Sequence, residues 1–289
     1  MQCLHPIQIR NPKKDFIFGV DNFWLTVPCG KCYACQSNKR SFWTCRLFFE
    51  AATAISSLFI TLTYDDANIP YSGLLPTLSK RDVQLFIKRL RKRFPQHHIK
   101  YFLCGEYGSH TARPHYHAII FDLPLCGNFA EYYYKELQKL WTLGFVQCAN
   151  VNINRIGYVS KYILKSDNDK KFFQNHDITP PFMLSSRRPA IGAAIADKIK
   201  DYLSPDLSSI HYRGYTFILP RYVKEKLPDY LQIAIDDKRH DYVKNMENHR
   251  ICTLSNASSF EKLKQRYEEK TREERYQRKL KTSKQQINL

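Results

Sequence analysis

The hydrophobic and polar positions in the middle of the chain follow two patterns, one typical of strands and the other of helices. Over Ser57–Tyr64, aromatic and Thr residues alternate with aliphatic residues, which predicts a β-strand. Ser79 and Asp82 form a Ser-x-x-Asp variant of the capping box and predict the start of a helix. The apolar residues of that helix repeat at helical spacing and are Val83, Phe86, Ile87 and Leu90.

Four segments further along the chain continue this alternation. They predict strands over Ile99–Cys104, His115–Phe121 and Phe145–Ile153, and a helix over Ala130–Trp141 that Gly144 stops. The order β-α-β-β-α-β predicts an α+β fold of the ferredoxin-like type, an antiparallel sheet with both helices on one face. A further helix is predicted directly after this core, over Ile156–Lys165.

The flanking segments have weaker patterns, and they suggest three regions. Residues 1–50 predict an irregular, Cys-rich N-terminal segment, with a helix over Asn38–Ala54 leading into the core. Residues 51–165 predict the core, and residues 166–289 a basic C-terminal extension. Within that extension we expect a loop-like stretch over 166–189, a helix over Ala190–Leu203, a strand over Tyr212–Leu219 and a charged helix over 260–281.

Composition and charge narrow the class of protein. With 43% hydrophobic and 14% aromatic residues, the 289-residue chain can bury a substantial core. Its formal net charge of +18 favours a polyanionic partner such as nucleic acid. Residues 261–289 contribute only +5 of that charge, from ten basic and five acidic residues, so the folded body is itself basic.

The basic residues of the second predicted element lie on the face opposite its apolar stripe. A solvated surface would explain them, but a dense basic face without Glu favours contact with DNA phosphates. Arg113, close to two histidines, is a further candidate phosphate partner. The candidate DNA-binding residues on the helix are Lys88, Arg89, Arg91 and Lys92.

No segment of the sequence approaches the roughly 20 apolar residues of a membrane span, and the first residues lack the layout of a secretory signal. We therefore expect a soluble, intracellular protein without a membrane partner. Its nine cysteines are then expected to be thiols or metal ligands rather than disulfides.

Two histidines and a glutamate have the spacing of a metal site. His115 and His117 are two positions apart in a predicted strand, so their imidazoles point to the same side. A lone His-x-His is more often structural, but Glu106, at the end of the preceding strand, offers a third ligand. A set of two nitrogens and one carboxylate suits Mn²⁺, with Mg²⁺ also possible.

Two tyrosines have the spacing of a shared helix face. Tyr158 and Tyr162 are four residues apart in a predicted helix, with Lys161 three residues after Tyr158. A tyrosine stripe is more often packing than chemistry, so the pair by itself is weak evidence. The sequence order of Thr61 and Thr63, Glu106, His-x-His and Tyr-x-x-Lys-Tyr is much more specific.

The cysteines near the start form a second candidate metal site. Cys29, Cys32 and Cys35 are each separated by two residues and could join Cys3 around a structural Zn²⁺. Ordinary reduced thiols are the simpler explanation, because this spacing is not a standard zinc pattern. An iron–sulfur cluster usually requires a fourth cysteine at a defined spacing.

Taken together, these motifs resemble those of the HUH endonucleases, and especially the rolling-circle replication initiators of single-stranded DNA microviruses. The segments Phe59–Tyr64, Cys104–His117 and Gly157–Tyr162 resemble the three motifs of that family. Val27–Cys35 and Ser186–Gly192 resemble segments typical of its gokushovirus branch.

This resemblance implies a metal-dependent endonuclease and ligase that acts on viral origin DNA. A tyrosine would attack a phosphodiester of single-stranded DNA, giving a 5′-phosphotyrosyl link and a free 3′-OH. Tyr158 and Tyr162 would be the nucleophiles, Tyr158 the first, while Lys161 would neutralise charge or position the ion. The 3′-OH would prime a host polymerase in the bacterial cytoplasm. Because the chain has no Gly-x4-Gly-Lys loop, unwinding would need a host helicase.

Two alternatives stay open at this point. A non-catalytic RNA-binding protein of RRM topology shares the β-α-β-β-α-β order and predicts exposed aromatic residues on the central strands. A related HUH transposase or relaxase would share the histidine and tyrosine motifs.

Overall fold

A computed structural model of the protein describes residues 3, 5–10, 24–108, 111–126, 129–161, 170–193, 199–205, 207, 209–239, 241, 245, 258, 270, 271 and 274. The strands are β1 (Ile7–Arg10), β2 (Trp24–Val27), β3 (Ser57–Tyr64), β4 (Tyr71–Ser72), β5 (Leu75–Pro76), β6 (Lys100–Tyr107), β7 (Pro114–Phe121), β8 (Gly144–Asn150), β9 (Phe182–Ser185), β10 (Ser209–Tyr212) and β11 (Tyr215–Ile218). The helices are α1 (Tyr33–Thr53), α2 (Lys80–Arg93), α3 (Phe129–Leu140), α4 (Ile153–Lys161), α5 (Lys170–Asn175) and α6 (Arg221–Lys224), with a 3₁₀ turn at Lys200–Tyr202. Residues 229–239 form one more helix.

The central feature of the fold is an antiparallel sheet of five strands in the order β8-β3-β7-β6-β9. Its first four strands are the four that the sequence predicts, and the elements from β3 to β8 follow the predicted β-α-β-β-α-β order. The α+β, ferredoxin-like prediction for the core is therefore confirmed. Strand β3 has the predicted bounds, whereas β8 ends at Asn150 rather than Ile153.

One face of the sheet carries α2 and α3, as predicted. Alternate residues of β3, including Leu58, Ile60 and Leu62, pack there against Phe86 of α2 and Tyr133 of α3. Helix α2 begins where the capping box predicts, since the Ser79 hydroxyl accepts a hydrogen bond from the Asp82 amide at 3.2 Å. The larger of the hydrophobic cores thus lies between these two helices and the sheet.

The opposite face is covered in part by α1 and α4. Leu47 of α1 and Ile156 and Val159 of α4 pack there against Phe102 of β6 and Ile119 of β7. The buried Glu50 of α1 accepts hydrogen bonds from Lys100 Nζ and the Gly192 amide. This carboxylate fixes α1 to the sheet and to the segment that follows β9.

The N-terminal segment is more regular than predicted. The prediction of an irregular stretch is wrong for β1 and β2, which pair in antiparallel register. The predicted helix over Asn38–Ala54 exists, but it begins at Tyr33, directly after the cysteine motif. The element next to the cysteines is therefore a helix N-terminus.

The C-terminal extension also departs from its predictions. The loop-like stretch over 166–189 contains α5 and β9, and β9 pairs with β6, so the sheet continues beyond residue 165. The predicted helix over Ala190–Leu203 is wrong for its described residues, which form turns and the 3₁₀ turn. The predicted strand over Tyr212–Leu219 is instead the hairpin β10–β11. Only residues 270, 271 and 274 of the charged stretch 260–281 are described, and they are helical.

Within the described residues, no helix has both the length and the apolar character that a membrane crossing requires.

Candidate active site

The candidate site lies on the sheet face that α1 and α4 cover only in part. The strand register places Glu106, His115, Thr63 and Phe145 side by side in one cross-strand row. Directly opposed residues of neighbouring antiparallel strands point to the same side of a sheet. The next row, in the same order, consists of Cys104, His117, Thr61 and Gln147.

Glu106 lies between the two histidines. Its Oε1 atom is 3.0 Å from His115 Nε2 and 3.0 Å from His117 Nε2. Both Glu106 and His117 are buried, and His115 is half-buried. The three ligand atoms all lie within 4.8 Å of one another, so a single ion could contact all three. The structure therefore brings together the three metal ligands predicted from the sequence.

The far nitrogen of each imidazole has its own partner. His115 Nδ1 lies 3.2 Å from the carbonyl oxygen of Arg113, and His117 Nδ1 lies 3.0 Å from the Thr61 hydroxyl. A carbonyl oxygen can only accept, so His115 Nδ1 carries the proton and Nε2 is left for an ion. Such partners orient metal-binding histidines and fix their tautomer. Thr61 has this role through its position opposite His117, which the sequence motif alone did not reveal.

Tyr158 is the tyrosine closest to this centre among the described residues of α4. Its hydroxyl lies 3.5 Å from His117 Nε2, and its ring meets the His117 ring edge to face at 5.2 Å. The side chain is 37% exposed, so the hydroxyl is open to a substrate. The strand residue Phe59 packs against both rings. The structure thus places the predicted nucleophile beside the predicted metal ligands.

The other predicted residues of the tyrosine motif are less defined. Lys161 is the last residue of α4 and is exposed. Tyr162 lies outside the described residues.

Helix α4 is held in place by α1. The Arg40 guanidinium donates to the Gly157 carbonyl at 3.4 Å, one residue before Tyr158. The Thr44 hydroxyl donates to the buried Ser160 hydroxyl at 2.8 Å. No sequence signal distinguished Arg40 and Thr44 from other residues of α1, because their partners are more than 100 residues away.

The four predicted zinc ligands also come together. The sulfur atoms of Cys3, Cys29, Cys32 and Cys35 lie within 4.8 Å of one another. Backbone N–H groups, led by that of Cys32, lower the pKa of the Cys29 thiol, whereas burial raises the pKa of Cys35 to about 12. None of the eight cysteines in the described part of the chain forms a disulfide, as expected.

The predicted DNA-binding residues of α2 lie on the other side of the sheet. Lys88, Arg91 and Lys92 are exposed there, and Arg89 is half-buried. The Arg91 guanidinium donates to the carbonyl of Ile99 at 3.0 Å. These four residues are therefore remote from the phosphate that Tyr158 would attack.

Arg113 lies at the edge of the site. It donates to the Tyr64 carbonyl at 2.9 Å and forms an ion pair with Asp66. Its guanidinium thus joins the end of β3 to the start of β7, and 40% of the side chain is exposed.

The central strands do not carry the aromatic residues that an RRM needs. Base stacking in an RRM uses exposed aromatic side chains on the two middle strands. The corresponding positions of β7 hold His115 and His117, and β6 holds Glu106 beside them. This arrangement favours an ion-dependent site over a stacking surface at the centre of the sheet.

Comparisons with known proteins agree with these observations. The family model for replication-associated proteins of the ORF2 type matches residues 57–167, which include β3 to α4. The replication-associated protein VP4 of Bdellovibrio phage phiMH2K is 28% identical over 258 residues, covering 80% of this chain and 76% of that protein.

Two further phage proteins show the same level of similarity. The replication-associated protein ORF2 of Spiroplasma virus 4 is 28% identical over 57% of this chain and 61% of its own length. The replication-associated protein ORF4 of Chlamydia phage 1 is 28% identical over 72% of this chain and 55% of its own length. The chain thus spans between about half and three quarters of these relatives.

Among solved structures, the N-terminal nuclease domain of non-structural protein 1 of minute virus of mice matches 56% of this chain and 84% of that domain. The sequence identity is 9% and the TM-score 0.23, too low to support any conclusion about this chain.

Proposed function

Because the chain is a microvirus-like replication-associated protein of the rolling-circle type, we propose that it nicks and rejoins single-stranded viral DNA at the origin through a tyrosine. The observation that carries this proposal is the position of Tyr158. Its hydroxyl lies 3.5 Å from a histidine that shares Glu106 with a second histidine. A nucleophile beside a three-ligand centre is the arrangement that phosphodiester transesterification requires.

In the proposed step, the Tyr158 oxygen attacks a phosphorus atom of the DNA. A bond forms between that oxygen and the phosphorus, and the bond from the phosphorus to the 3′ oxygen breaks. The phenol proton is released to solvent, and the departing 3′ oxygen takes up a proton to give a free 3′-OH. The 5′ phosphate stays on the tyrosine, so the bond energy is kept for rejoining.

The donor set fits a divalent ion. Two imidazole nitrogens and one carboxylate oxygen suit Mn²⁺, and Mg²⁺ is the alternative. An ion held there would polarise the scissile phosphate and stabilise its developing charge. Thr61 and the Arg113 carbonyl keep the imidazoles of His117 and His115 in the orientation that binding needs.

Four thiols form a different donor set, and we assign it to a structural Zn²⁺. Thiolate ligands select zinc over Mg²⁺ or Mn²⁺, so the two metal groups of this chain do not compete for one ion.

Two residues near the end of α4 support the same reaction. Lys161 is exposed one turn beyond Tyr158, where its ammonium can neutralise phosphate charge. Tyr162 follows at the next position and, in this proposal, alternates with Tyr158 in successive rounds of cleavage.

The single strand is proposed to cross the edge of the sheet at β8. Phe145 is 63% exposed and stands in the same cross-strand row as His115, two strands away. Neighbouring strands are about 4.8 Å apart, so this ring lies about 10 Å from the metal ligands. An exposed aromatic at that distance can stack on a base that flanks the scissile phosphate. Gln147 is exposed in the next row of the same strand.

The basic face of α2 would then bind DNA beyond the nick. Lys88 and Lys92 are exposed and can contact phosphates of a strand that passes around the protein. Arg89, Arg91 and Arg113 are proposed to support this binding, although Arg91 and Arg113 already contact backbone carbonyls.

The remaining parts of the proposal concern the setting. The reaction would take place inside a bacterial host, as expected for relatives of phage replication proteins. A host polymerase would extend the 3′-OH, and a host helicase would separate the strands.

The test is cleavage of an end-labelled single strand from the viral origin with Mn²⁺ or with a chelator. We expect ion-dependent cleavage and a protein–DNA adduct that survives denaturing electrophoresis. Glu106→Ala should lose both products, and Tyr158→Phe with Tyr162→Phe should form no adduct. Binding without cleavage under all conditions would favour a non-catalytic nucleic-acid-binding protein, and cleavage confined to a transposon end or a plasmid transfer origin would favour a transposase or relaxase.

A further inference from the structure

The sulfur atoms of the N-terminal cysteine cluster (Cys3, Cys29, Cys32 and Cys35) have the spacing of a tetrahedral metal site. Cys3 Sγ lies 3.5 Å from Cys29 Sγ and 3.8 Å from Cys32 Sγ. Four thiolates at about 2.3 Å from one Zn²⁺ are about 3.8 Å from one another. A disulfide would need a separation near 2.05 Å, so these sulfurs are too far apart to be bonded and close enough to share an ion.

The backbone around the cluster also favours thiolates. The Cys29 amide donates to Cys3 Sγ at 3.2 Å, and the Cys32 amide donates to Cys29 Sγ at 3.3 Å. Hydrogen bonds from backbone N–H groups stabilise a charged acceptor more than a neutral one. Cys32 and Cys35 are buried, so a desolvated thiolate there needs a cation close by.

Charge at the start of α1 points the same way. Cys32 is the N-cap residue of α1, and its side chain makes no capping hydrogen bond. The first turn of this helix contains no acidic residue to offset the positive end of its dipole. Four thiolates around one divalent ion have a net negative charge, and they would supply that compensation where ordinary caps are missing.

We infer that the cysteine cluster binds one structural Zn²⁺ and that this ion, by fixing the start of α1, holds α4 and its nucleophile in place. Cys35 lies five residues before Arg40 and nine before Thr44 on the same helix. Arg40 and Thr44 are the residues that contact Gly157 and Ser160 of α4, on either side of Tyr158. The zinc half of this inference is independent of catalysis, whereas the role of Tyr158 rests on the proposed function.

The metal is tested on the full chain purified without chelator or metal-affinity resin. We expect one zinc per chain by elemental analysis, and release of that zinc when a mercurial titrates the thiols. The variant with Cys29→Ser and Cys32→Ser should lose the zinc, while Cys126→Ser, outside the cluster, should keep it. Chains grown with Co²⁺ should show sulfur-to-cobalt charge-transfer absorption. Metal-free wild-type protein, or iron with the visible absorption of an iron–sulfur cluster, would overturn the assignment.

The coupling to α4 is tested by amide hydrogen exchange, which needs no DNA cleavage. Release of zinc from the wild-type chain should speed exchange in α1 and in residues 153–161, while β6 and β7 exchange as before. The variant Thr44→Val should speed exchange in α4 and keep its zinc, because the hydroxyl contacts Ser160 and not the cluster. If α4 exchanged at the same rate with and without zinc, the coupling would be refuted. Because both readouts are independent of the nicking assay, failure of the proposed function would leave them unaffected.

Discussion

At the scale of single residues, the site depends on pairs of side chains that face each other across strands. Alternation along β7 predicts that His115 and His117 share a side of the sheet, and the structure brings Glu106 within 3.0 Å of both. The hydrogen bond between Thr61 and His117 could not be predicted with the same ease. It depends on the register of β3 against β7, which periodicity in one strand does not fix.

The Thr61 hydroxyl gives the first prediction. Thr61→Val removes the partner of His117 Nδ1 while keeping the shape of the side chain. We expect Mn²⁺ affinity, measured by calorimetric titration, to fall about 10–100-fold, as is usual when such a partner is lost. Thr63→Val is the control, since the Thr63 hydroxyl donates to the Phe145 carbonyl at 3.4 Å. Equal affinity in the two variants would show that Thr61 does not orient the ligand.

At the scale of elements, the sequence predicts long periodic segments well and short ones poorly. Strand β3 and helix α2 have eight and fourteen residues, with clear alternation in one and a capping box in the other. Strand β9 has four residues close to Pro180 and Pro181, and only its pairing with β6 makes it a strand. Likewise, the N-terminal hairpin β1–β2 consists of two four-residue strands far apart in the sequence. Such short strands are stabilised by partners that local sequence does not reveal.

Strand order gives the second prediction, because it makes β8 an edge strand beside β3 and leaves Phe145 exposed next to the site. Phe145→Ala should weaken binding of a single-stranded origin oligonucleotide by about 1–3 kcal/mol, the usual cost of losing one stacked base. Fluorescence anisotropy with the ion omitted isolates binding from cleavage. Tyr230→Ala removes an equally exposed aromatic from the helix at 229–239 and should bind as the wild type does. A similar loss in both variants would argue against a stacking site at β8.

At the scale of the whole molecule, charge and catalysis are distributed over different faces. The net charge of +18 predicts a polyanionic partner, and periodicity predicts that the basic residues of α2 point outward. Neither shows which face of the sheet this helix covers. In the structure α2 packs on the face opposite Glu106 and the histidines. DNA that contacts both would have to pass around an edge of the sheet.

The third prediction concerns the salt dependence of that longer contact. Replacing both Lys88 and Lys92 by Gln should reduce the slope of log affinity against log salt by about 1.4, since each phosphate contact on a single strand contributes about 0.7. The effect should appear with a long origin strand and disappear with a short one that fills only the site. Lys135→Gln with Lys139→Gln removes the same charge from α3, where each lysine pairs with a glutamate, and should leave the slope unchanged. An unchanged slope in the α2 variant would remove this helix from the DNA path.

The central claim is that the Tyr158 hydroxyl forms the bond to DNA, and peptide mapping of the covalent adduct tests it most directly. The adduct formed with Mn²⁺ on a single-stranded origin oligonucleotide is digested with nuclease and protease, and its nucleotide-bearing peptide is sequenced by mass spectrometry. The account predicts a 5′-phosphate on Tyr158 in the first round, and no adduct in the Glu106→Ala protein. A nucleotide on a residue outside the Tyr158–Tyr162 pair, or an adduct that forms equally well without Glu106, would contradict it.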